Sequence, residues 1–245
     1  MSSTVEGLTP SLAREAYLAI REQILRGERP PGTPLSRRRI ARDLGMSVIP
    51  VADALRRLEE DGLVESRPRA GTRVRIPGVD AVRELYELRE ALETQSARLF
   101  TQRATPEQRL EVRRLADQVD AFFSRLATDA DPSLRFAVHS HHVEFHLRIA
   151  EHARSALLKQ MIERKHVLIL NWLFDVAGRR SPLPAGFHAQ LALALVSGDV
   201  ARADEAMRAH VHYGLAEVTS QIGALAASEW RERRKPTPAP GAAGA

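Results

Sequence analysis

SRRRIARDLGMSVIPVADALRRLEEDGL, residues 36 to 63, decides the fold. Ser36 is placed to cap a helix burying Ile40, Ala41 and Leu44, after which Gly45 supplies a sharp turn and Ser47 is placed to cap the next helix. That helix buries Val51, Ala54, Leu55 and Leu58, tolerates Pro50 in its first turn and stops at Gly62. Upstream, Ser11 to Arg26 carries Ala13, Tyr17, Ile20 and Ile24 on one helical face, and a loop containing Pro30, Pro31, Gly32 and Pro34 follows. Downstream, Leu63 to Ser66 and Thr72 to Ile76 read as strands joined by a turn at Pro68 and Gly71. Helix, helix, turn, helix, hairpin is the order of a winged helix-turn-helix, whose third helix lies in the major groove and whose hairpin tip reaches the backbone or minor groove. A helical module packed for stability alone would share the order. Arg67, Arg69, Arg73 and Arg75 around the tip argue against it, since a structural hairpin has no need of four cations.

Composition narrows the partners. The 245 residues suffice for two modest domains, and 44% hydrophobic with 27% charged excludes wholesale disorder and low-complexity repeats. An aromatic share of 5% argues against a stacking platform for single-stranded nucleic acid. The absence of cysteine removes disulfides, thiol catalysis and sulfur-based zinc sites, so any metal must be held by His, Asp or Glu. No apolar run reaches the roughly 18 residues of a membrane span and no leader-like segment opens the chain, which implies a soluble cytoplasmic protein. The net charge is +5, and residues 1–76 hold 14 arginines against 10 carboxylates, so nearly all the excess lies there. That asymmetry suits a polyanion, although a GC-rich genome would also favour arginine over lysine.

After Gly78 the period is helical to about Gln221. Helices are expected over Val79 to Gln102, from a Thr105–Pro106–Gln108 capping box to Ala127, from Pro132 to His152, from Ser155 to Val176, from Pro182 to Val196, and from Asp199 to Ser228. The expected domains are a winged helix at 11–76, an antiparallel all-helical bundle of about six helices at 80–222, and a disordered tail at 229–245. The fold class is mainly α.

The run from Pro34 to Ser47, then Pro50–Val51, then Ala54 to Val64, with the wing Arg67 to Val74, resembles the DNA-binding domain of GntR-family bacterial regulators. From Leu85-Tyr86-Glu87-Leu88-Arg89-Glu90-Ala91-Leu92-Glu93 onward the chain is similar to the FadR-like branch with its FCD-type ligand domain. The resemblance implies DNA contacts from Arg37, Arg38, Ser47, Val48, Ile49, Ala52, Arg57, Arg69, Gly71 and Arg73. It also carries a departure, because Val48 and Ala52 stand where the family usually has arginines, so the family's usual operator sequence does not transfer. Phosphate contacts from Arg37, Arg38, Arg57, Arg69 and Arg73 would still supply most of the affinity.

Five of the nine histidines lie between His139 and His152. His142 and His146, four apart, share a helix face and can chelate one divalent ion, or they are simply solvated surface histidines. The resemblance weighs for the metal: FCD-type domains place an aspartate and a histidine four apart, then two more histidines on the last two helices. Here the matching set is His142, His146, His188 and His210, with His142 in the aspartate's place, and the implied cofactor is a divalent transition metal, zinc or nickel. His139 and His212 are left out of the set. Arg89 falls on the stripe of Leu85, Leu92, Ser96 and Leu99, so it faces the interior as an ion pair with Glu93 or as a clamp for a carboxylate effector.

These readings converge on a homodimeric regulator that binds a pseudo-palindromic operator in double-stranded DNA and responds to a small carboxylate metabolite. The competing class is a metal-dependent enzyme fused to a DNA-targeting domain. It lacks a nucleophile motif, and Glu144, the carboxylate nearest in sequence, projects about 200° around the helix from His142.

Overall fold

The computed structural model describes residues 11–69, 71–76, 78–126, 131–164 and 183–233. The first unit begins with α1 (Leu12–Leu25), whose N-cap Ser11 accepts the Arg14 N–H, and buries Ala16, Tyr17, Ile20, Ile24 and Leu25. Helix α2 (Arg37–Asp43) is capped by Ser36, which accepts the Arg39 N–H, and α3 (Val48–Glu60) buries the four expected residues, Val51, Ala54, Leu55 and Leu58. Between them Gly45 takes φ 64°, the left-handed backbone that the turn needs and that costs a glycine nothing. Ser47 occupies the N-cap of α3, but its side chain makes no capping hydrogen bond.

The hairpin consists of β2 (Val64–Arg67) and β3 (Gly71–Val74), antiparallel with Val64 opposite Val74 and Glu65 opposite Arg73. A third strand, β1 (Pro34–Leu35), pairs with the other edge of β3, giving the order β1-β3-β2. The sequence reading took Pro34 for loop. Proline has no N–H to donate and is tolerated on an edge strand, where Leu35 turns inward to join Ile20, Ile40, Leu55, Leu58, Leu63 and Val74 in one core.

Six described helices follow: α4 (Val79–Arg103), α5 (Pro106–Leu126), α6 (Pro132–His152), α7 (Ala156–Arg164), α8 (Phe187–Val196) and α9 (Val200–Arg233). The capping box at α5 is reciprocal, with Thr105 N–H donating to Gln108 Oε1 at 2.9 Å and Gln108 N–H to Thr105 Oγ1 at 3.3 Å. Asp199 Oδ1 caps α9 by accepting from Ala201 and Arg202. The fourth helix is described only to Arg164, and its expected continuation to Val176 lies outside the described residues. Helix α8 starts at Phe187 rather than Pro182, after Pro184 and a left-handed Gly186. Helix α9 runs to Arg233, so residues 229–233 are helical where a tail was expected; Ala-rich sequence without proline carries the helix on, and 234–245 lie outside the described residues.

α4 packs along α9, while α5 lies against both α6 and α8. Their core gathers Tyr86, Phe100, Val112, Val119, Phe145, Ile149, Leu195 and Val211. Phe136, near the start of α6, packs instead against the winged-helix core, with the Arg26 guanidinium 4.3 Å over its ring. No described helix is long and apolar enough to cross a membrane.

Candidate functional site

Two faces carry the chemistry. On the winged helix, Arg37, Arg38, Ser47, Arg57, Arg69 and Gly71 are exposed and Ala52 is half-buried. Val48 and Ile49, neighbours at the start of α3, are 42% and 74% exposed. Arg69 stands at the wing tip with φ 63°. Two of the arginines read as phosphate contacts are already engaged. The Arg57 guanidinium lies 4.6 Å over the Tyr17 ring, and Arg73 donates to Glu65 Oε1, its cross-strand partner, from Nε and from Nη2 at 2.5 Å each. Tyr17 in turn donates to Asp61 at 2.6 Å, and burial together with that carboxylate pushes its hydroxyl up to about 12.

The second face is buried in the helical domain. α6 supplies His142 and His146, α9 supplies His210, and α8 supplies His188; all four are at most 6% exposed. His146 Nε2 lies 3.0 Å from His142 Nε2 and 3.1 Å from His210 Nε2. Among the described residues these three form the group able to hold an ion, with ligand atoms within 4.8 Å of one another. Two nitrogens about 2.1 Å from a common zinc lie about 3.0 Å apart at a right angle and about 3.4 Å apart at the tetrahedral angle. The observed separations fit that range, and the donor set suits a borderline transition metal rather than magnesium or calcium.

His188 stands beside the group and not within it. Its ring centroid is 4.9 Å from that of His142 and 5.2 Å from that of His210, it stacks on Phe123, and its Nδ1 is 2.7 Å from Asp120 Oδ1. His139 is buried edge-on to Phe123, outside the group, and His212 is exposed and paired with Glu90. Glu144 pairs with Arg148 at 2.6 Å and is absent from the cluster.

Arg89 is interior, 1% exposed, with its Nε 2.6 Å from Glu93 Oε1, while the second oxygen of Glu93 is 2.6 Å from His146 Nδ1. Desolvation pushes the Glu93 carboxyl up, but the Arg89 charge and His146 outweigh it and hold the group at about 2. Of the two sequence alternatives for Arg89, the ion pair with Glu93 is formed. The ion pair engages Nε, while Nη2 is buried with no hydrogen-bond partner among the described residues. Arg89 lines a narrow recess with His142, Phe187, His188, His210, Tyr213 and Gly214, about 10 Å³ and so room for one water at most. A Cβ on Gly214 would sit 3.3 Å from the Tyr86 hydroxyl, a tight contact, and 3.7 Å from Arg89 Nη1, so a side chain here would press on the Tyr86 ring. The recess shares Phe187, His210 and Tyr213 with an open groove of about 550 Å³ between α8 and α9.

Burial first, then the nearby His146, His188, His210 and Arg89, hold His142 well below its ordinary 6.5. The unfolded chain takes up this proton first, so stability is full above about pH 6.5 and declines as pH falls below it. Thermal denaturation of metal-free protein at about pH 7.5 and 5.5 should show that decline, and His142→Gln should flatten it. An unchanged pH dependence in the variant would show that His142 is not the group responsible.

Sequence reasoning missed Asp120, Phe187, Tyr213 and Gly214, and it saw Glu93 only as a partner for Arg89. Asp120 is 68 residues from His188, and no local pattern links them. Together, a winged helix with an exposed cationic and apolar face and a helical domain with a buried polar pocket define a DNA-binding transcriptional regulator with a ligand-binding domain.

Comparison with known proteins specifies the class. Residues 12–74 match the bacterial regulatory proteins of the gntR family, and residues 84–213 match the FCD domain. The chain belongs to the GntR family, in the branch that carries an FCD domain. It is 37% identical over 111 residues to an uncharacterized HTH-type transcriptional regulator of Agrobacterium vitis, covering 45% of this chain and 65% of that one. Over 214 residues it is 28% identical to a probable D-xylose utilization operon transcriptional repressor of Paenarthrobacter nicotinovorans, covering 86% and 91%. The fold is that of a GntR regulator from Rhodococcus sp. RHA1, at TM-score 0.68 and 21% identity over 86% of this chain and 98% of that one. The matched families are transcriptional regulators rather than enzymes, which sets aside the enzymatic alternative.

Proposed function

We propose that this regulator is a cytoplasmic homodimer that binds a pseudo-palindromic operator in duplex DNA and responds to a small carboxylate metabolite at a divalent metal. The observation that carries the ligand-sensing half is the juxtaposition of His146 Nε2, within 3.1 Å of Nε2 of both His142 and His210, with the unpartnered Nη2 of buried Arg89. His142, His146 and His210 would hold the ion, with His188 as the fourth imidazole, and zinc or nickel suits the set. When bound, the ion would supply a Lewis-acidic position for a carboxylate oxygen, and Arg89 would supply a second, charge-assisted contact. The α8–α9 groove gives the route in, since it already shares three residues with the recess.

The winged helix would read DNA with the start of α3 in the major groove and Arg37, Arg38 and Arg69 on phosphates. One recognition helix reads few base pairs, so useful specificity calls for two protomers on a two-fold site. Protein purified without a His tag is expected to carry close to one transition metal per chain. A panel of carboxylates should then shift its melting temperature and its affinity for bound genomic fragments. Metal-free protein with no response to any carboxylate would refute the sensing half, and retention of no genomic fragment would refute the DNA half.

The exposed Val48 and Ile49, with Ala52 one turn on, are expected to contact thymine methyl groups in that operator. Replacing thymine by uracil one position at a time should weaken binding several-fold at one or more positions per half-site. Equal affinity throughout would remove these residues from base reading and leave them as phosphate-face neighbours.

A further inference from the structure

We propose that Glu93 and Asp120 are positioning residues of the metal centre, each fixing one imidazole with Nδ1 protonated so that Nε2 is left as the ligating atom. The inference rests on the metal reading above and adds the layer behind it. Glu93 Oε2 is 2.6 Å from His146 Nδ1, and Asp120 Oδ1 is 2.7 Å from His188 Nδ1. A carboxylate accepts only, so the hydrogen bond to Asp120 puts the His188 proton on Nδ1 and its lone pair on Nε2. The Glu93 carboxylate, in ion-pair contact with His146 Nδ1 though out of line for a hydrogen bond, favours the same tautomer there. In His146, Nε2 is the atom facing Nε2 of His142 and of His210.

Asp120 has a second duty that makes its placement firm. Helix α8 begins after Gly186, which has no side chain with which to cap it. Asp120, reaching across from α5, accepts the N–H of His188 through Oδ1 at 3.1 Å and that of Ala189 through Oδ2 at 2.9 Å. These are free donors of a helix first turn, where negative charge is favoured. One carboxylate thus caps the helix that carries His188 and orients the His188 ring. Glu93 is held as firmly by Arg89 one turn earlier on α4.

The two carboxylates also change the charge of the site. Four imidazoles bring no charge to a divalent ion. With Glu93, Asp120 and Arg89 counted, ion and surroundings come to +1, which one carboxylate ligand would neutralise.

The test uses the full-length chain. Imidazole 15N spectra of metal-free wild type should show Nδ1 protonated and Nε2 unprotonated at both His146 and His188. Asp120→Ala should return His188 to a mixture of tautomers and lower Zn²⁺ or Ni²⁺ affinity, read by chelator competition, about ten- to hundredfold. Asp120→Asn keeps one acceptor oxygen but turns the other into a donor and loses the charge; it should recover part of the metal-free melting temperature and part of the affinity. Glu93→Gln leaves one acceptor oxygen for two donors, Arg89 and His146, so it should loosen the His146 tautomer as well as weaken the metal. A purely structural role would move the metal-free melting temperature and leave affinity alone. Protonated Nε2 in the wild type, or variants binding within twofold of it, would overturn the assignment while leaving the metal reading intact. Wild type that binds neither ion would refute that reading and this inference together.

Discussion

Reversing the charge of Arg38 and Arg69 together to glutamate is expected to lower affinity for duplex DNA at least a hundredfold at moderate salt, for operator and unrelated DNA alike. Both side chains are exposed, one on α2 and one at the wing tip, and among the described residues neither has an ion pair that reversal would break. Each phosphate neutralised releases counterions and contributes about 0.9 to the slope of log affinity against log salt, so a dimer losing four contacts should show a slope shallower by about four. Arg73 is the less informative choice despite its place on the wing. A glutamate there would face Glu65 directly across the β2–β3 pair, and loss of binding would then report a damaged hairpin. Fluorescence anisotropy over a salt series, with a melting curve to confirm folding, checks the prediction. Affinity within a few-fold of wild type, with an unchanged slope, would remove the cationic face from DNA binding.

What the sequence made legible follows from how local each signal is. The α3 stripe of Val51, Ala54, Leu55 and Leu58 repeats at the helical period and is buried as read, and the Thr105–Gln108 box and the Asp199 cap are contacts within three residues. On α4 the period was visible and Arg89 and Ser96 are buried as read, but the leucines of the stripe lie at its edge. Leu85, Leu92 and Leu99 are only half-buried, while Tyr86, Glu93, Ala97 and Phe100 point inward, because α9 packs along that side and its contacts decide the face. Strand β1 is two residues long and depends on β3, almost 40 residues later, so nothing local marks it. The pairing of His142 with His146 was legible from their spacing, whereas the arrival of His210 and the displacement of His188 toward Asp120 depend on three other helices. Even Glu93, four residues from Arg89, concealed its second contact, since His146 reaches it from another helix.

Replacing His146 and His210 together by alanine should abolish metal binding and with it the metal-dependent share of stability. His146 is the sharper choice than His188, because its Nε2 lies within 3.1 Å of both neighbouring Nε2 atoms, and His210 is the member that ties α9 to α6. Removing both leaves His142 alone of the three-nitrogen group, with His188 beside it, and two imidazoles without the central His146 are too few to retain a divalent ion against a chelator. A ligand present at about a thousand times its dissociation constant stabilises the folded state by about 4 kcal/mol. For a chain of this size that corresponds to roughly 8–16 °C in melting temperature, which wild type should lose on chelation and the variant should lack from the outset. The metal-free forms should differ far less, since Glu93 keeps its pair with Arg89 after His146 is gone. His188→Ala offers the graded comparison: with its ring outside the three-nitrogen group, it should weaken the ion without eliminating it. Metal content per chain and melting curves with and without chelator read all three proteins. A double variant that keeps both its metal and its chelator-sensitive stability would place the ion elsewhere, and the buried histidines would then be a hydrogen-bonded polar cluster of the core.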